Sequence, residues 1–448
     1  MAATHDMTQG RPLKVIFIFF FPLLLGNLFQ QFYSAVDSMI VGRYVGVEVF
    51  AGISATGSLN FMILGCLIGM CTGFTIPIAQ SFGAGDHEQM RKYFANAIYL
   101  AGIVAVIMTI LMVLCCRPLL QLIGTPSDII KESYSYIVVV FAGIGASMLY
   151  NLASGALRAV GNTKTPLYFL IFSCLLNIIL DLLFVIVFKM RAAGAAVATV
   201  ISQLIAGILC MILIFRKYDV LRIRHHEWKP ELAYINRLFN MGLPMGLQFS
   251  ITAIGSIVMQ TAVNSLGSSA IAAIGSAVKV QFMFTCALET IGSTMATYCG
   301  QNLGAGNIDR IRNGVRQTTI VMLIYCAVAF GIQYFFGHYI TLLFIDPSET
   351  EILANASYYL SFIGLFYWAL LLILVYRNAI QGLGHSRIAM VAGIFEMVGR
   401  MFVAFVLVGP LGFKGACMAN PAAWIMAIIL LIPVYFRIIR KLEKQYAA

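Results

Sequence analysis

Gln80-Ser81-Phe82-Gly83-Ala84-Gly85, followed after five residues by Arg91, recurs later in the chain as Gln301-Asn302-Leu303-Gly304-Ala305-Gly306 with Arg312. Each shared residue is displaced by 221 positions. Gly46 and Gly267 keep that spacing, as do Gly194 and Gly415. Pro22 and Pro244 lie 222 apart, and Gly161 and Gly384 lie 223 apart. A chain whose turn-forming residues return at one offset is an internal duplication. Duplicated halves of this size are a common construction of secondary transporters.

The composition agrees with a membrane setting. Of 448 residues, 60% are hydrophobic and only 10% charged, with a mean hydropathy of +0.90. Soluble chains carry about 25% charged residues, so a soluble enzyme, a secreted disulfide scaffold and a disordered chain are all excluded. The ten cysteines are scattered through apolar runs. They read as small buried hydrophobes rather than as a metal or redox motif. The first ten residues are polar, and no small-residue cleavage site follows the first apolar run, which predicts a retained first span.

A membrane helix needs about 20 mainly apolar residues. That length predicts an all-α polytopic protein with twelve spans: 14–42, 48–80, 93–116, 132–157, 166–188, 194–215, 238–264, 268–300, 317–344, 352–377, 388–408 and 415–436. A transmembrane barrel needs short alternating segments instead, which continuous runs such as 166–188 contradict. With both termini placed inside, 21 Lys and Arg residues face the cytoplasm and six the outside, Lys279 and Arg400 being intramembrane. The bias toward the inside fixes that orientation. The net charge of +11 is then a topology signal and an anionic-lipid contact, not a nucleic-acid surface. The reading divides the chain into a first lobe over 1–215, a cytoplasmic linker over 216–237 carrying His225, His226 and Trp228, and a second lobe over 238–448. Six spans per half keep the same sidedness, so the repeats are parallel.

Of the 18 acidic residues, only Asp37, Asp181, Glu289 and Glu396 fall within spans. A carboxylate near mid-bilayer costs at least about 2.5–3.5 kcal/mol and usually marks an ion or substrate path. Gln30 and Tyr33 precede Asp37 at i−7 and i−4, on one helix face. Asn177 lies one turn before Asp181, and the sixth span supplies Thr199. These oxygens suit a proton or a small cation such as Na+. The alternative is two separate, hydrogen-bonded core acids. Glu396 and Arg400 have the spacing of an intrahelical pair. Glu289 has no evident partner on its own helix and is either a second ion site or a partner of Lys279 or Arg400.

Taken together, Pro22 with Asp37, the two Q-x-x-G-A-G-x5-R loops, Leu157-Arg158-Ala159-Val160-Gly161-Asn162-Thr163-Lys164 and the set Asn177, Asp181, Thr199 resemble the multidrug and toxic compound extrusion (MATE) transporters over essentially the whole chain. The resemblance implies two six-helix lobes in a V around a central cavity. It also implies export of cationic amphiphiles in exchange for protons or sodium ions. Within the family, the first-half cluster resembles the DinF-like branch. That implies an ion site of Asp37, Asn177, Asp181 and Thr199, a chamber lined by Gln30, Tyr33 and Asn151, and a first helix that bends at Pro22. The NorM-like pattern needs acids in the seventh and tenth spans, and this chain has none there.

Two other classes are weaker. A lipid-linked saccharide flippase shares the broad fold but usually carries extra spans and intramembrane cations. A membrane enzyme needs convergent histidines or a nucleophile–base pair, and the six histidines lie outside the spans or near their ends. No nucleotide-binding G-x-x-x-x-G-K-[ST] motif occurs. The expectation is a monomeric antiporter of the plasma membrane, with no cofactor beyond its coupling ion, acting on small organic cations or amphiphilic drugs.

Overall fold

A computed structural model describes residues 6–342 and 345–447, so the last two residues of the ninth predicted span lie outside the described part. The elements in chain order are α1 (Pro12–Tyr44), α2 (Val47–Ala55), α3 (Gly57–Gly83), α4 (His87–Leu122), α5 (Ile130–Ala142), α6 (Ile144–Ala159), α7 (Lys164–Asp181) and α8 (Arg191–Lys217). There follow α9 (Leu232–Asn264), α10 (Ser268–Gly304), α11 (Ile308–Thr341), α12 (Thr350–Gly364), α13 (Tyr367–Gly382), α14 (Ser386–Phe402), α15 (Val408–Cys417) and α16 (Ala419–Ala447). Among the described residues, ten stretches are single membrane-length apolar helices. The pairs α5–α6 and α12–α13, bent by 48° and 49°, complete twelve. Large apolar side chains such as Phe32, Leu114, Ile324 and Phe405 stand exposed on these helices, as a lipid-facing surface requires.

The duplication is visible in the backbone. After α3, Gly85 takes φ 72° and closes the helix, its N–H donating to the Phe82 carbonyl at 3.0 Å. After α10, Gly306 takes φ 72° and donates to Leu303 at 3.0 Å. A left-handed residue at this position is the usual glycine role in a helix stop, which explains the last glycine of each loop motif. A further repeated feature is a π-helical turn over Leu182–Val187, continuing α7, matched by Val403–Leu407, continuing α14. Their first residues are 221 apart. Gly194 and Gly415 let the following helix approach each turn. A Cβ on Gly194 would lie 3.2 Å from the Phe184 carbonyl oxygen, and one on Gly415 2.4 Å from that of Leu407.

The chain forms two compact units, Phe21–Gly246 and Met7–Phe20 with Leu247–Ala448. In the first, α3, α4, α5, α6 and α8 enclose a core that includes Phe74, Phe94, Phe141 and Leu152. In the second, α10 packs against α12 and α13, and α14 against α16. Tyr298, Tyr367 and Tyr435 are its largest fully buried side chains.

The segment after α8 is docked on the first unit. Arg91 of the first loop motif grips Glu227 with three hydrogen bonds of 2.8–2.9 Å. Tyr99 donates to the Trp228 carbonyl at 2.9 Å, and the Glu231 N–H donates to Asn96 Oδ1 at 3.0 Å. The start of α9 follows, with Arg237 donating to Gln80 Oε1 at 3.0 Å. Conversely, residues 7–20 belong to the second unit. There the Met7 N–H donates to Gln301 Oε1 at 3.0 Å, and Arg310 donates to the carbonyls of Met7, Gln9 and Gly10. Each motif glutamine thus receives the entry to the other repeat's first span. The handovers fall at 20/21 in α1 and 246/247 in α9, beside the paired prolines Pro22 and Pro244.

Candidate functional site

In the first unit, Asp37 sits one turn after Tyr33 on α1, and Asp181 is the last residue of α7. Their carboxyls lie within hydrogen-bonding reach of each other. Asp181 is fully buried, and Asn177, one turn earlier, is 1% exposed. Asn177 Nδ2 donates to Thr199 Oγ1 at 3.3 Å, and that hydroxyl donates to the Ala195 carbonyl at 3.0 Å. Having given its one proton to Ala195, the hydroxyl can only accept from Tyr33, 3.4 Å away. Three helices, α1, α7 and α8, therefore converge on two carboxyls, an amide, a hydroxyl and a phenol. The π-helical turn begins at the residue after Asp181. Such turns are rare and recur at functional sites.

Tyr136 on α5 was not singled out by the sequence reading, yet it interacts electrostatically with both Asp37 and Asp181. The signal that finds it is the repeat. Tyr136 and Tyr359 are 223 residues apart, the spacing of Gly161 and Gly384. One turn before Tyr136, Glu132 pairs with Arg191 at 3.2 Å, joining α5 to the start of α8. Gln30 is exposed, and Asn151 gives its amide to the Ser147 carbonyl one turn back at 2.8 Å. Among the described interactions, neither joins the carboxyl pair.

The loop motif Leu157–Lys164 has a local structural use. Gly161 takes φ 83°, Asn162 Oδ1 accepts from the Thr165 N–H at 2.9 Å, and the Asn162 amide also reaches the Tyr218 hydroxyl.

The second unit holds a different set. Glu396 lies 3.7 Å from Arg400, the predicted intrahelical partner, but its shorter ion pair is with Arg377 of α13 at 2.7 Å. Arg377 is the last residue of the tenth predicted span, and its side chain is only 13% exposed. Glu289 on α10 is exposed and interacts with Arg377 rather than with Lys279 or Arg400. Arg400 Nε donates to Asn420 Oδ1 at 3.3 Å, and Tyr359 donates to Gln281 Oε1 at 3.0 Å. Among the described residues, no three His, Cys, Asp or Glu side chains converge as a metal site.

Two polar clusters within helices long and apolar enough to cross a membrane suit an integral membrane transporter. The comparisons agree. The MatE family model matches the chain twice, over residues 22–183 and 244–406, following the internal duplication. The chain is 29% identical over 365 residues to "Probable multidrug resistance protein YpnP" of Bacillus subtilis (strain 168), covering 81% of each chain. It is 27% identical to "Probable multidrug resistance protein YoeA" of the same strain, covering 93% of this chain and 92% of the relative. In three dimensions it is similar, at a TM-score of 0.91 and 20% identity over 98% of each chain, to an outward-facing multidrug resistance MATE family transporter of the MOP superfamily. The chain belongs to the MatE family. It is a secondary transporter of the MATE antiporter type and not an enzyme.

Proposed function

We propose that this chain exports cationic or amphiphilic organic compounds in exchange for protons. In this reading Asp37 and Asp181 act as one ion site, in the manner of the DinF-like branch. The single observation that carries the reading is the contact between these two carboxyls across α1 and α7. Two ionised carboxylates so close repel, and a proton or a small cation between them removes the repulsion. With Asn177 and Thr199 already bonded to each other, the amide and hydroxyl hold the geometry while the acids change charge.

The exchange follows from charge. The ionised pair is an anionic locus that favours a cationic cargo in a low-dielectric setting. Protonation removes that attraction, and the cargo leaves. The affinities for proton and cargo are then linked reciprocally, as antiport requires. Removing the repulsion also lets α1 repack, with Pro22, which lacks an N–H, as the weak point in the helix. Sodium is the alternative coupling ion, because the same oxygens suit it. The cation bias of the sequence supports cytoplasmic termini and a plasma-membrane location. Transport by a monomer is part of the proposal.

Ethidium efflux from vesicles, with pH and sodium gradients imposed separately, tests this reading. The expected result is efflux driven by the pH gradient and abolished in Asp37→Asn and in Asp181→Asn, with both variants expressed near wild-type level. Drive by sodium alone would transfer the site to the alternative ion. Undiminished efflux in both variants would overturn the site.

A further inference from the structure

We infer that the second unit contains a binding site for a carboxylate group, centred on Arg400. This inference extends the antiporter reading to the cargo, adding amphiphiles that carry an acidic group. Arg400 is 6% exposed, and its Nη1 is a buried donor with no hydrogen-bond partner among the described residues. A guanidinium that is always charged and never an acceptor needs an oxygen or anion there.

The neighbours leave that need unmet. Glu396 is engaged by Arg377 at 2.7 Å and lies 3.7 Å from Arg400 Nη2. Glu289 also faces Arg377. Of the two arginines, Arg400 is therefore the less compensated. It is also held in place. Asn420 Oδ1 accepts from Nε at 3.3 Å, and the Asn420 amide reaches the Tyr359 hydroxyl at 3.5 Å. Gly255 of α9 packs against the same helix turn, where a Cβ would lie 3.2 Å from Met397 Cα and in ordinary contact, 3.5 Å, with Arg400 Cδ.

A guanidinium anchored at Nε, with Nη1 unpartnered, presents a fixed charged donor to a carboxylate oxygen. The charged pair is not shared by the two repeats. The residues 221 positions before Glu396 and Arg400 are Leu175 and Ile179.

The test is calorimetric titration of the purified full chain in detergent with sodium benzoate, and with benzyl alcohol as the neutral control. Saturable benzoate binding, absent for benzyl alcohol and weakened at least tenfold in Arg400→Gln, is the expected result. Arg400→Lys should recover part of the affinity, because the charge returns without the planar guanidinium. Asn420→Leu, which leaves both ion pairs to Glu396 intact, should weaken benzoate at least threefold and keeps the proposal testable if Arg400→Gln does not fold. No benzoate binding by the wild type, equal binding of benzyl alcohol, or wild-type affinity in the folded variants would each overturn it. The titration needs no ion gradient, so its failure is distinguishable from failure of the antiport reading, which the efflux experiment reads.

Discussion

The two units began as copies and now hold opposite electrostatics. In the first, two carboxyls meet, with neutral polar groups around them. In the second, two carboxylates are answered by two arginines. Position by position the charged residues are exchanged, while Thr199 is matched 221 places on by Asn420. The residues 221 or 222 places after Asp37, Asn177 and Asp181 are Met259, Val398 and Phe402, while those 221 before Glu289, Glu396 and Arg400 are Ile68, Leu175 and Ile179. What the copies retain is the frame: the paired prolines, the π-helical turns and a tyrosine at Tyr136 and Tyr359. Like charges held together store a response to protons, whereas opposite charges held together resist one. In the proposed reading, ion coupling belongs to the first unit and a constant charge pattern to the second.

The largest effect that would break this contrast concerns Glu396. Replacing it with Gln leaves Arg377 and Arg400 close together without their shared carboxylate, and removing one member of a buried pair costs about 3–5 kcal/mol. Thermal denaturation in detergent should therefore show a clear loss for Glu396→Gln. Asp37→Asn and Asp181→Asn should change stability little or raise it, since they remove a like-charge contact. If Glu396→Gln instead melts like the wild type and loses only ion coupling, the second unit is the coupling site and the contrast fails.

A smaller effect separates the two loop motifs. Arg91 and Arg312 are the same residue of the repeat, and each binds an acid beyond its half's last span, Glu227 and Glu443. The first pair is buried and the second half-exposed. Arg91→Ala should cost about 2 kcal/mol, as for hydrogen bonds to a buried charge, and Arg312→Ala about 0–1 kcal/mol. Burial raises the Glu227 pKa, but hydrogen bonds from Arg91 and the Arg224 N–H outweigh it, and the net value lies below the ordinary range. A depressed carboxyl pKa contributes stability that is full above the unfolded value, near 4.3, and is lost as pH falls through the lower folded value. Acid melting curves should thus flatten in that window for Glu227→Gln. An unchanged acid limb would show that the clasp does not carry it.

Much of this was legible in the chain. Glycine and proline offsets revealed the duplication because tight turns tolerate few other residues, and apolar runs revealed the spans because the bilayer admits little else. Asp37, Asn177, Asp181 and Thr199 stood out because charge and amide groups are costly in lipid. Arg377 did not, because its place five residues before the end of α13 looks like a cytoplasmic flank, and only packing against α14 turns it onto Glu396. The docking of 216–237 and of residues 7–20 was equally hidden. Hydrogen bonds that join Gln301, as acceptor, and Arg310, as donor, to backbone atoms some 300 residues earlier leave no periodicity to read.

The most direct measurement is proton release on cargo binding. Purified protein in weakly buffered detergent is mixed with ethidium, and the pH change is recorded for the wild type, Asp37→Asn and Asp181→Asn. A coupled pair titrates as a unit, so the wild type should release protons on binding, and each asparagine variant should lose most of that release while remaining folded. Full release from both variants would contradict carboxyl coupling in the first unit and move the search to Glu289.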